Sequence, residues 1–170
     1  LLHWPNPDVP LAETVGALNE AKRRGFARHI GVSNFPAALI REAVAHSSVP
    51  LLVDQVEYHP YLDQSAVLDE LARQGMALIA YSPVGRGAVF GDRTLQRIGA
   101  AHGKNAGQVA LRWLLQQGVA AIPRSSREAN VAANLDVFDF ALSDGEMAGI
   151  AGLARPDGRM VRPAVAPDWD

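Results

Sequence analysis

The chain has 170 residues, of which 48% are hydrophobic and 20% charged, and its formal net charge is -2. This size and apolar content predict a single domain over residues 1–170 with a sizeable core. The small charge gives no electrostatic reason to expect a nucleic acid or an anionic membrane as a partner. The lack of cysteine excludes disulfides, thiolate metal sites and cysteine nucleophiles. With no apolar run long enough to span a bilayer and no expected leader, we predict a cytoplasmic protein.

The chain opens with "LLHWP", in which the apolar pair Leu1-Leu2 precedes His3, Trp4 and Pro5. The pattern indicates a buried strand that reaches its carboxyl end at His3. Functional side chains of α/β folds lie at that end of the strands. The alternative is a half-buried histidine that only packs beside Trp4.

Strand-like and helix-like segments then alternate along the chain. The predicted strands are short, apolar and bounded by turn residues, and they cover residues 29–34, 53–58, 77–82 and 119–123. The predicted amphipathic helices cover residues 10–25, 36–47, 63–75, 104–118 and 143–153. Asp63 is the expected N-cap of the third helix and Gly75 its end, while Ser143 and Glu146 form a capping box. This alternation is typical of βα units.

Two architectures fit the alternation, a doubly wound sheet and a (β/α)8 barrel. No G-x-G-x-x-G string follows a predicted strand, and Gly85-Arg86-Gly87 is the nearest approach. Polar and aromatic residues recur at the predicted carboxyl ends of the strands: His3, Ser33, Asn34, Gln55, Tyr81, Ser82, Arg124 and Ser125. That recurrence favours the barrel and disfavours a flavodoxin-like binding module.

The motifs "LLHWP", "HIGVSNF", "VDQVEYHPYL", "LIAYSPVGRG" and "AIPRSSREANVAANLDVFDF" resemble, in order and spacing, those of the aldo-keto reductases. The closing "RMVRPAVAPDWD" is most similar to the bacterial group that reduces 2,5-diketo-D-gluconate and methylglyoxal. The resemblance implies a (β/α)8 TIM barrel of which this chain holds the later βα units, from about strand 4 to strand 8 with the C-terminal tail. It implies an N-terminally truncated, monomeric oxidoreductase domain that reduces small aldehydes or ketones with hydride from NADPH.

The resemblance also assigns roles around the substrate. His3 matches the histidine that orients and polarises the carbonyl. The family's catalytic tyrosine, lysine and aspartate precede the segment that matches "LLHWP", so we expect the chain alone to be inactive. Trp4 and Trp169 are expected to line the substrate pocket, with the tail 156–170 over the barrel mouth. An anchoring role for Trp169 fits equally well.

At the nicotinamide end of NADPH, Ser33, Asn34 and Gln55 match the side chains that bind the carboxamide. Tyr81 matches the aromatic residue that stacks on the ring. The structural alternatives are that Ser33 and Asn34 cap the helix beginning at Pro36 and that Tyr81 is a core tyrosine.

The pyrophosphate and adenosine end is expected to contact Ser82, Val84, Arg86, Arg124, Ser125, Arg127 and Asn134. Arg124 suits a 2′-phosphate because a guanidinium offers paired donors to phosphate oxygens. Asn130 stands where the family usually has arginine, and Arg127 is the candidate that supplies part of that charge. A preference for NADPH over NADH is therefore predicted from an incomplete match.

No metal site is expected, since His29, His46, His59 and His102 lack metal-ligand spacing and are read as surface or packing residues. The role of Glu57 is undecided: it can contact the cofactor, or it can lie at the surface or in a salt bridge. The alternative function is a noncatalytic partial barrel that binds a nucleotide or a partner chain.

Overall fold

The computed structural model describes residues 1–169 and forms two compact units. Unit 1 comprises Leu1–Val56, Gln64–Ile79 and the tail from Val161. Unit 2 comprises Glu57–Asp63 and Ala80–Met160. The assignment of the whole chain to one domain and the placement of the tail over a barrel mouth stay predictions.

The secondary structure alternates as the sequence pattern predicts. The strands are β1 (Ile30–Ser33), β2 (Leu51–Glu57), β3 (Ala77–Tyr81) and β4 (Ala120–Ala121). The helices are α1 (Leu11–Arg23), α2 (Ala37–His46), α3 (Ser65–Gln74), α4 (Arg93–His102), α5 (Ala106–Gln116), α6 (Glu128–Leu135) and α7 (Asp144–Ala151), with a 3-10 segment at Gly85–Gly91. The strands form one sheet in the order β1-β2-β3-β4, and β1 pairs with β2 in parallel. The predicted α/β class is confirmed.

The core of unit 1 lies between its strands and three amphipathic helices. All four residues of β1 are buried, and the helices bury Val15 from α1, Ile40 from α2, and Val67 and Leu71 from α3. Burying each such aliphatic side chain contributes about 1.5–3 kcal/mol. The apolar stripes thus explain why these helices pack on the sheet.

The predicted N-cap of α3 is displaced by one residue. Helix α3 has Gln64 as N-cap without a side-chain cap bond, so Asp63 does not start it. Helix α2 has Pro36 at its N-cap, and the side-chain nitrogen of Asn34 donates to the His3 carbonyl. The predicted end of α3 is confirmed, since Gly75 takes the left-handed conformation at φ 66°.

The opening residues form less strand than predicted. Leu2 makes an isolated parallel bridge with Val32, and its N–H donates to the Gly31 carbonyl at 3.1 Å. Leu1 is 56% exposed, so the expected buried strand is wrong in extent. The register still places His3 next to the carboxyl end of β1.

Asp54 is a buried carboxyl group in the middle of β2. It is fully buried, and neither carboxyl oxygen has a hydrogen-bond partner among residues 1–169. Burial raises the pKa of Asp54 to about 8; the Phe35 N–H offsets part of the rise without making a regular hydrogen bond. The folded chain therefore holds a proton on Asp54 at neutral pH.

We expect Asp54→Asn to stabilise the protein in a pH-dependent way. In the unfolded chain an aspartate ionises near pH 4, so between about pH 4 and 8 the folded state binds one more proton and its stability falls as pH rises. The substitution should raise the free energy of unfolding by about 2–4 kcal/mol at pH 8 and by much less at pH 4. Urea unfolding at both pH values measures this.

The control is Asp69→Asn, which neutralises an exposed carboxylate on α3 in the same unit. It should change stability by less than about 0.5 kcal/mol at either pH. A loss of stability in Asp54→Asn at pH 8 would show that the carboxyl group is needed where it lies.

Unit 2 is organised around α5, whose buried residues lie on several faces: Ala106, Gly107, Gln108, Val109, Ala110, Leu111, Trp113 and Leu114. The helix predicted over residues 104–118 is therefore packed on more than one side. The capping box of Ser143 and Glu146 at α7 is also confirmed. Helix α4 is absent from the sequence prediction; it begins behind Asp92, whose side chain accepts the Thr94 and Leu95 N–H groups at 2.8 and 3.0 Å.

Candidate active site

In unit 1, Ser33, Asn34 and Gln55 are brought together at the carboxyl ends of β1 and β2. The Ser33 hydroxyl donates to the Gln55 carbonyl at 2.6 Å, and the Asn34 N–H donates to the same oxygen at 2.9 Å. Ser33 and Asn34 are buried, whereas Gln55 is half-buried and its carboxamide has no hydrogen bond to a described residue. The Gln55 carboxamide therefore stays available for a ligand, beside the fixed side chains of Ser33 and Asn34.

Asn34 also ties the first residues of the chain to this cluster. Its side-chain nitrogen donates to the His3 carbonyl at 2.9 Å and to the Ser33 hydroxyl oxygen at 3.1 Å. Its backbone is left-handed, with φ at 62°. A non-glycine residue in that region is strained by about 1–3 kcal/mol, and such strain clusters at functional sites.

His3 is exposed, and its ring lies beside Trp4, with ring centroids 6.3 Å apart. Only the backbone carbonyl of His3 is bonded to Asn34, so the imidazole makes no hydrogen bond to the part of the chain that is described. Trp4 is half-buried. An imidazole in this position can hydrogen-bond an incoming oxygen atom, and the catalytic role of His3 stays a prediction.

In unit 2, Tyr81 ends β3 with its ring half-buried. Its carbonyl accepts the Tyr58 N–H at 3.2 Å. Burial and the charge of Glu57 raise the pKa of Tyr81 to about 12, and Arg159 and Arg86 offset part of that rise. Tyr81 therefore remains neutral at physiological pH, with charged groups around it. Its predicted stacking role is untested.

The loop after Tyr81 is held in an unusual backbone conformation. Ser82, Gly85, Arg86 and Gly87 have φ values of 51°, 52°, 52° and 97°. The Ser82 carbonyl accepts the Gly85 N–H at 2.8 Å, and the Val84 carbonyl accepts the Gly87 N–H at 2.9 Å. Positive φ values in a tight turn are typical of backbone that binds anions, but the N–H groups of Gly85 and Gly87 are used within this turn.

Arg124, Ser125 and Arg127 lie between β4 and α6. The Ser125 hydroxyl accepts the Arg127 N–H at 3.1 Å, which forms a turn directly before α6. Arg124 and Arg127 are exposed and pair with no acidic group of residues 1–169. Two guanidinium groups near one helix start therefore remain available for an anion.

Asn134 lies on α6 and, with Ser125, lines a cavity of about 330 Å³ in unit 2. The other lining residues are mostly apolar: Leu111, Leu115, Ala121, Pro123, Val131, Leu135, Val137 and Phe138. Asn130, on the same helix, is exposed. An apolar cavity with a few polar groups is the usual form of a small-molecule site.

Glu57 and His59 are fully buried in unit 2, and His59 Nε2 lies 3.0 Å from Glu57 Oε1. The surface readings of both residues are therefore wrong, the packing reading of His59 agrees with its burial, and a contact of Glu57 with the cofactor stays a prediction. His102 pairs with Glu146 at 2.9 Å. Trp169 is half-buried in unit 1, and its substrate role stays a prediction.

Among residues 1–169, only Asn34, Ser82 and Arg86 are non-glycine residues with positive φ, and all three were predicted to bind the cofactor.

The described residues contain no group of histidines and carboxylates suited to a metal ion. No helix in the described part of the chain is long and apolar enough to cross a membrane.

Comparison with known proteins decides the family. Residues 1–155 match the model of the Aldo/keto reductase family. The chain belongs to this family. It is 38% identical over 157 residues to glyoxal reductase of Bacillus subtilis, a match that covers 92% of the chain and 56% of that protein. The chain thus spans little more than half the length of that protein.

Solved structures confirm the resemblance and the fold. A crystal structure of a protein assigned as 2,5-diketo-D-gluconic acid reductase B is 50% identical, with a TM-score of 0.97, and the match covers 99% of the chain and 61% of that protein. An aldo-keto reductase from Bombyx mori, crystallised in complex with NADP, is 32% identical with a TM-score of 0.86, covering 95% and 58%. The α/β structure is therefore part of a (β/α)8 barrel of the aldo-keto reductase type.

Proposed function

We propose that the protein is an NADPH-dependent reductase of small aldehydes and ketones. The observation that carries the proposal is the position of the strained residues: Asn34 and Ser82 follow parallel strands directly, and Arg86 lies on the loop behind Ser82. Strain at these strand ends is the kind that a binding site maintains. The similarity to an NADP complex of the same family supports the choice of cofactor.

In unit 1, the cluster at Ser33 and Asn34 suits a carboxamide. Both side chains are fixed by short hydrogen bonds, so their positions cost little entropy when a ligand binds. The Gln55 carboxamide has one acceptor and two donors to offer. A primary amide such as that of nicotinamide can satisfy these groups from its own donor and acceptor.

In unit 2, the groups suit the other parts of the dinucleotide. The Tyr81 ring offers an aromatic face, and Arg86 on the turn from Ser82 to Gly87 offers a guanidinium group to a pyrophosphate. The cavity at Ser125 and Asn134 has room for an adenine. These assignments follow from chemistry and from the family resemblance together.

The bound cofactor supplies hydride to the carbonyl carbon of the substrate. Negative charge then develops on the carbonyl oxygen and needs a donor close to it. The exposed His3 imidazole can donate a hydrogen bond to that oxygen and orient it, with Trp4 as a neighbouring apolar wall. We further propose a monomeric, cytoplasmic enzyme.

For the substrate class we propose small dicarbonyl compounds, of which 2,5-diketo-D-gluconate and methylglyoxal are the two candidates. The support is the similarity to the glyoxal reductase of Bacillus subtilis and to the protein assigned as 2,5-diketo-D-gluconic acid reductase B. Turnover of both compounds by the complete enzyme, in which the chain is joined to the part of the barrel that it does not span, decides between them when it is followed as NADPH oxidation.

The charge on Arg124 provides the test of cofactor choice. In the complete enzyme we expect Arg124→Met to weaken NADPH binding by about tenfold or more, because a charge-assisted bond to the 2′-phosphate contributes about 1.5–3 kcal/mol. NADH has no such phosphate, so its dissociation constant should stay within about twofold. Fluorescence titration with each cofactor measures both constants.

The matched control is Arg97→Met, which removes an exposed guanidinium from α4 in the same unit. It should leave both dissociation constants unchanged. Equal weakening of NADPH and NADH by Arg124→Met would show that Arg124 does not read the phosphate, and failure of the unaltered protein to bind either cofactor would refute the proposed function.

A further inference from the structure

The structure contains a buried contact between distant parts of unit 2 that the cofactor residues do not explain. Glu57 Oε1, besides its contact with His59, accepts the Met160 N–H at 2.8 Å. Burial of a carboxylate is costly unless it is paired and hydrogen-bonded. Here the pair is completed by a backbone N–H that is 103 residues further along the chain.

The segment 155–160, which we call the tail root, makes further contacts with Tyr61. The Arg155 N–H donates to the Tyr61 carbonyl at 3.2 Å, and the Arg155 guanidinium lies 5.2 Å from the centre of the Tyr61 ring. A Cβ atom on Gly158 would overlap the Tyr61 carbonyl oxygen. The tail root is therefore fitted to segment 57–61 so closely that it requires glycine.

The same contacts extend to the loop predicted to bind pyrophosphate. A Cβ atom on Gly85 would lie 3.4 Å from both Met160 Cε and Tyr61 Cδ2. The Tyr61 hydroxyl donates to Asp92 at 3.4 Å, where the 3-10 segment after Gly85 ends. One side of the loop thus packs on the Met160 and Tyr61 side chains.

We propose that Glu57 is a positioning residue that anchors the tail root, and that the anchored tail root holds the Ser82–Gly87 loop in its cofactor-binding conformation. Glu57 accepts the Met160 N–H and is itself fixed by His59, while Met160 and Tyr61 pack on Gly85. The part of the inference that concerns the cofactor rests on the proposed function; the anchoring of the tail root does not.

The sequence offers a direct measurement of the anchor. Within the tail root and the two residues after it, trypsin can cleave only the Arg159–Met160 bond, because Arg155 and Arg162 are each followed by proline. The N–H of that bond is the one that Glu57 accepts. Since a protease acts on the transiently opened chain, the cleavage rate reports how often this hydrogen bond is open.

Two variants break the anchor from opposite sides. Glu57→Leu removes the acceptor, and Gly158→Ala pushes the tail root off the Tyr61 carbonyl without touching Glu57 or His59. We expect each to speed cleavage at Arg159–Met160 by about tenfold or more, and to raise the NADPH dissociation constant by about fivefold or more. Cleavage after Arg97, an exposed site on α4, should keep its rate and shows that the fold is intact.

Glu146→Gln and Gly152→Ala are the matched controls. The first neutralises the other histidine–glutamate pair of unit 2, and the second adds a methyl group where the nearest atom is 3.5 Å away. Both should leave cleavage at Arg159–Met160 and the NADPH dissociation constant unchanged.

The outcomes separate the two claims. Unchanged cleavage at Arg159–Met160 in Gly158→Ala overturns the anchor, and faster cleavage with unchanged NADPH affinity overturns its action on the loop. If Glu57→Leu is cleaved faster at every site, its fold is lost and Gly158→Ala decides. If the unaltered protein does not bind NADPH, the proposed function is wrong, and the cleavage rates alone decide whether the tail root is anchored.

Discussion

In the complete enzyme, in which the chain is joined to the part of the barrel that it does not span, replacing His3 by alanine is expected to lower kcat for methylglyoxal by about 100-fold while leaving the NADPH dissociation constant within about twofold. The imidazole is exposed and makes no hydrogen bond to a described residue, so its removal breaks no contact of the fold. The bond that ties this position to Asn34 uses the His3 backbone carbonyl, which alanine keeps. The loss should therefore appear in turnover and not in cofactor binding or stability.

His29→Ala serves as the control, because it removes another exposed histidine of unit 1 that directly precedes β1. Its kcat and NADPH affinity should equal those of the unaltered protein. Initial rates at saturating NADPH and fluorescence titrations measure the two quantities separately. Full turnover by His3→Ala, or a loss of stability in place of turnover, would return His3 to a packing role.

The repeating secondary structure could be predicted from the sequence because it follows from local patterns. The apolar spacing of α3 and the left-handed Gly75 behind it are properties of neighbouring residues. The same kind of signal marks α4, which the sequence prediction does not include: Asp92 precedes the helix and Gly103 ends it. Local sequence signals are therefore sufficient to predict α4 as well as the helices that were predicted.

Contacts between residues far apart in the chain could not be predicted from the sequence. Neither reading of Asn34, as a cap of α2 or as a cofactor contact, includes the hydrogen bond that its side-chain nitrogen donates to the carbonyl of His3, 31 positions earlier. The string "VEYHPY" does not reveal that Glu57 and His59 are buried, since the Met160 N–H that helps to satisfy Glu57 comes from the distant tail root. Such pairings are decided by tertiary packing.

Asp54 shows a further limit of pattern reading. An aspartate within an apolar strand is normally expected to face solvent or a partner, because its charged form is costly to bury. The register of β2 against β1 places Asp54 beside Val32, and its carboxyl group is buried without a hydrogen bond among residues 1–169. The chain instead retains a proton on this group, which composition and periodicity do not show.

The candidate site was predicted through the family resemblance, and its geometry adds an independent reason to accept it. The three described non-glycine residues with left-handed backbone all belong to the predicted cofactor set. Motif matching identifies residue types, whereas backbone strain is a physical property of the fold. The agreement of the two supports Asn34, Ser82 and Arg86 more strongly than the remaining positions of the set.

The 170-residue chain by itself is expected to give no NADPH-dependent turnover of methylglyoxal, which corresponds to a loss of at least about 1000-fold. A proton donor is needed at the substrate oxygen, and the tyrosines available in the chain have other roles. The Tyr58 hydroxyl donates to Gln117 at 2.8 Å and that of Tyr61 to Asp92 at 3.4 Å. Tyr81 is the predicted stacking residue, so no tyrosine remains for proton transfer.

The lysines are engaged in the same way, since Lys104 pairs with Asp136 and Asp139 and Lys22 donates to the Arg28 carbonyl. A closed barrel of this type also needs about 250 residues.

The decisive experiment assays the chain alone, and then assays it together with the part of Bacillus subtilis glyoxal reductase that the chain does not match. Activity that appears only in the mixture supports the view that the missing donor comes from that part. Robust activity of the chain alone would mean that one of its own side chains, with Tyr58 and Tyr61 the first to replace by phenylalanine, performs the proton transfer.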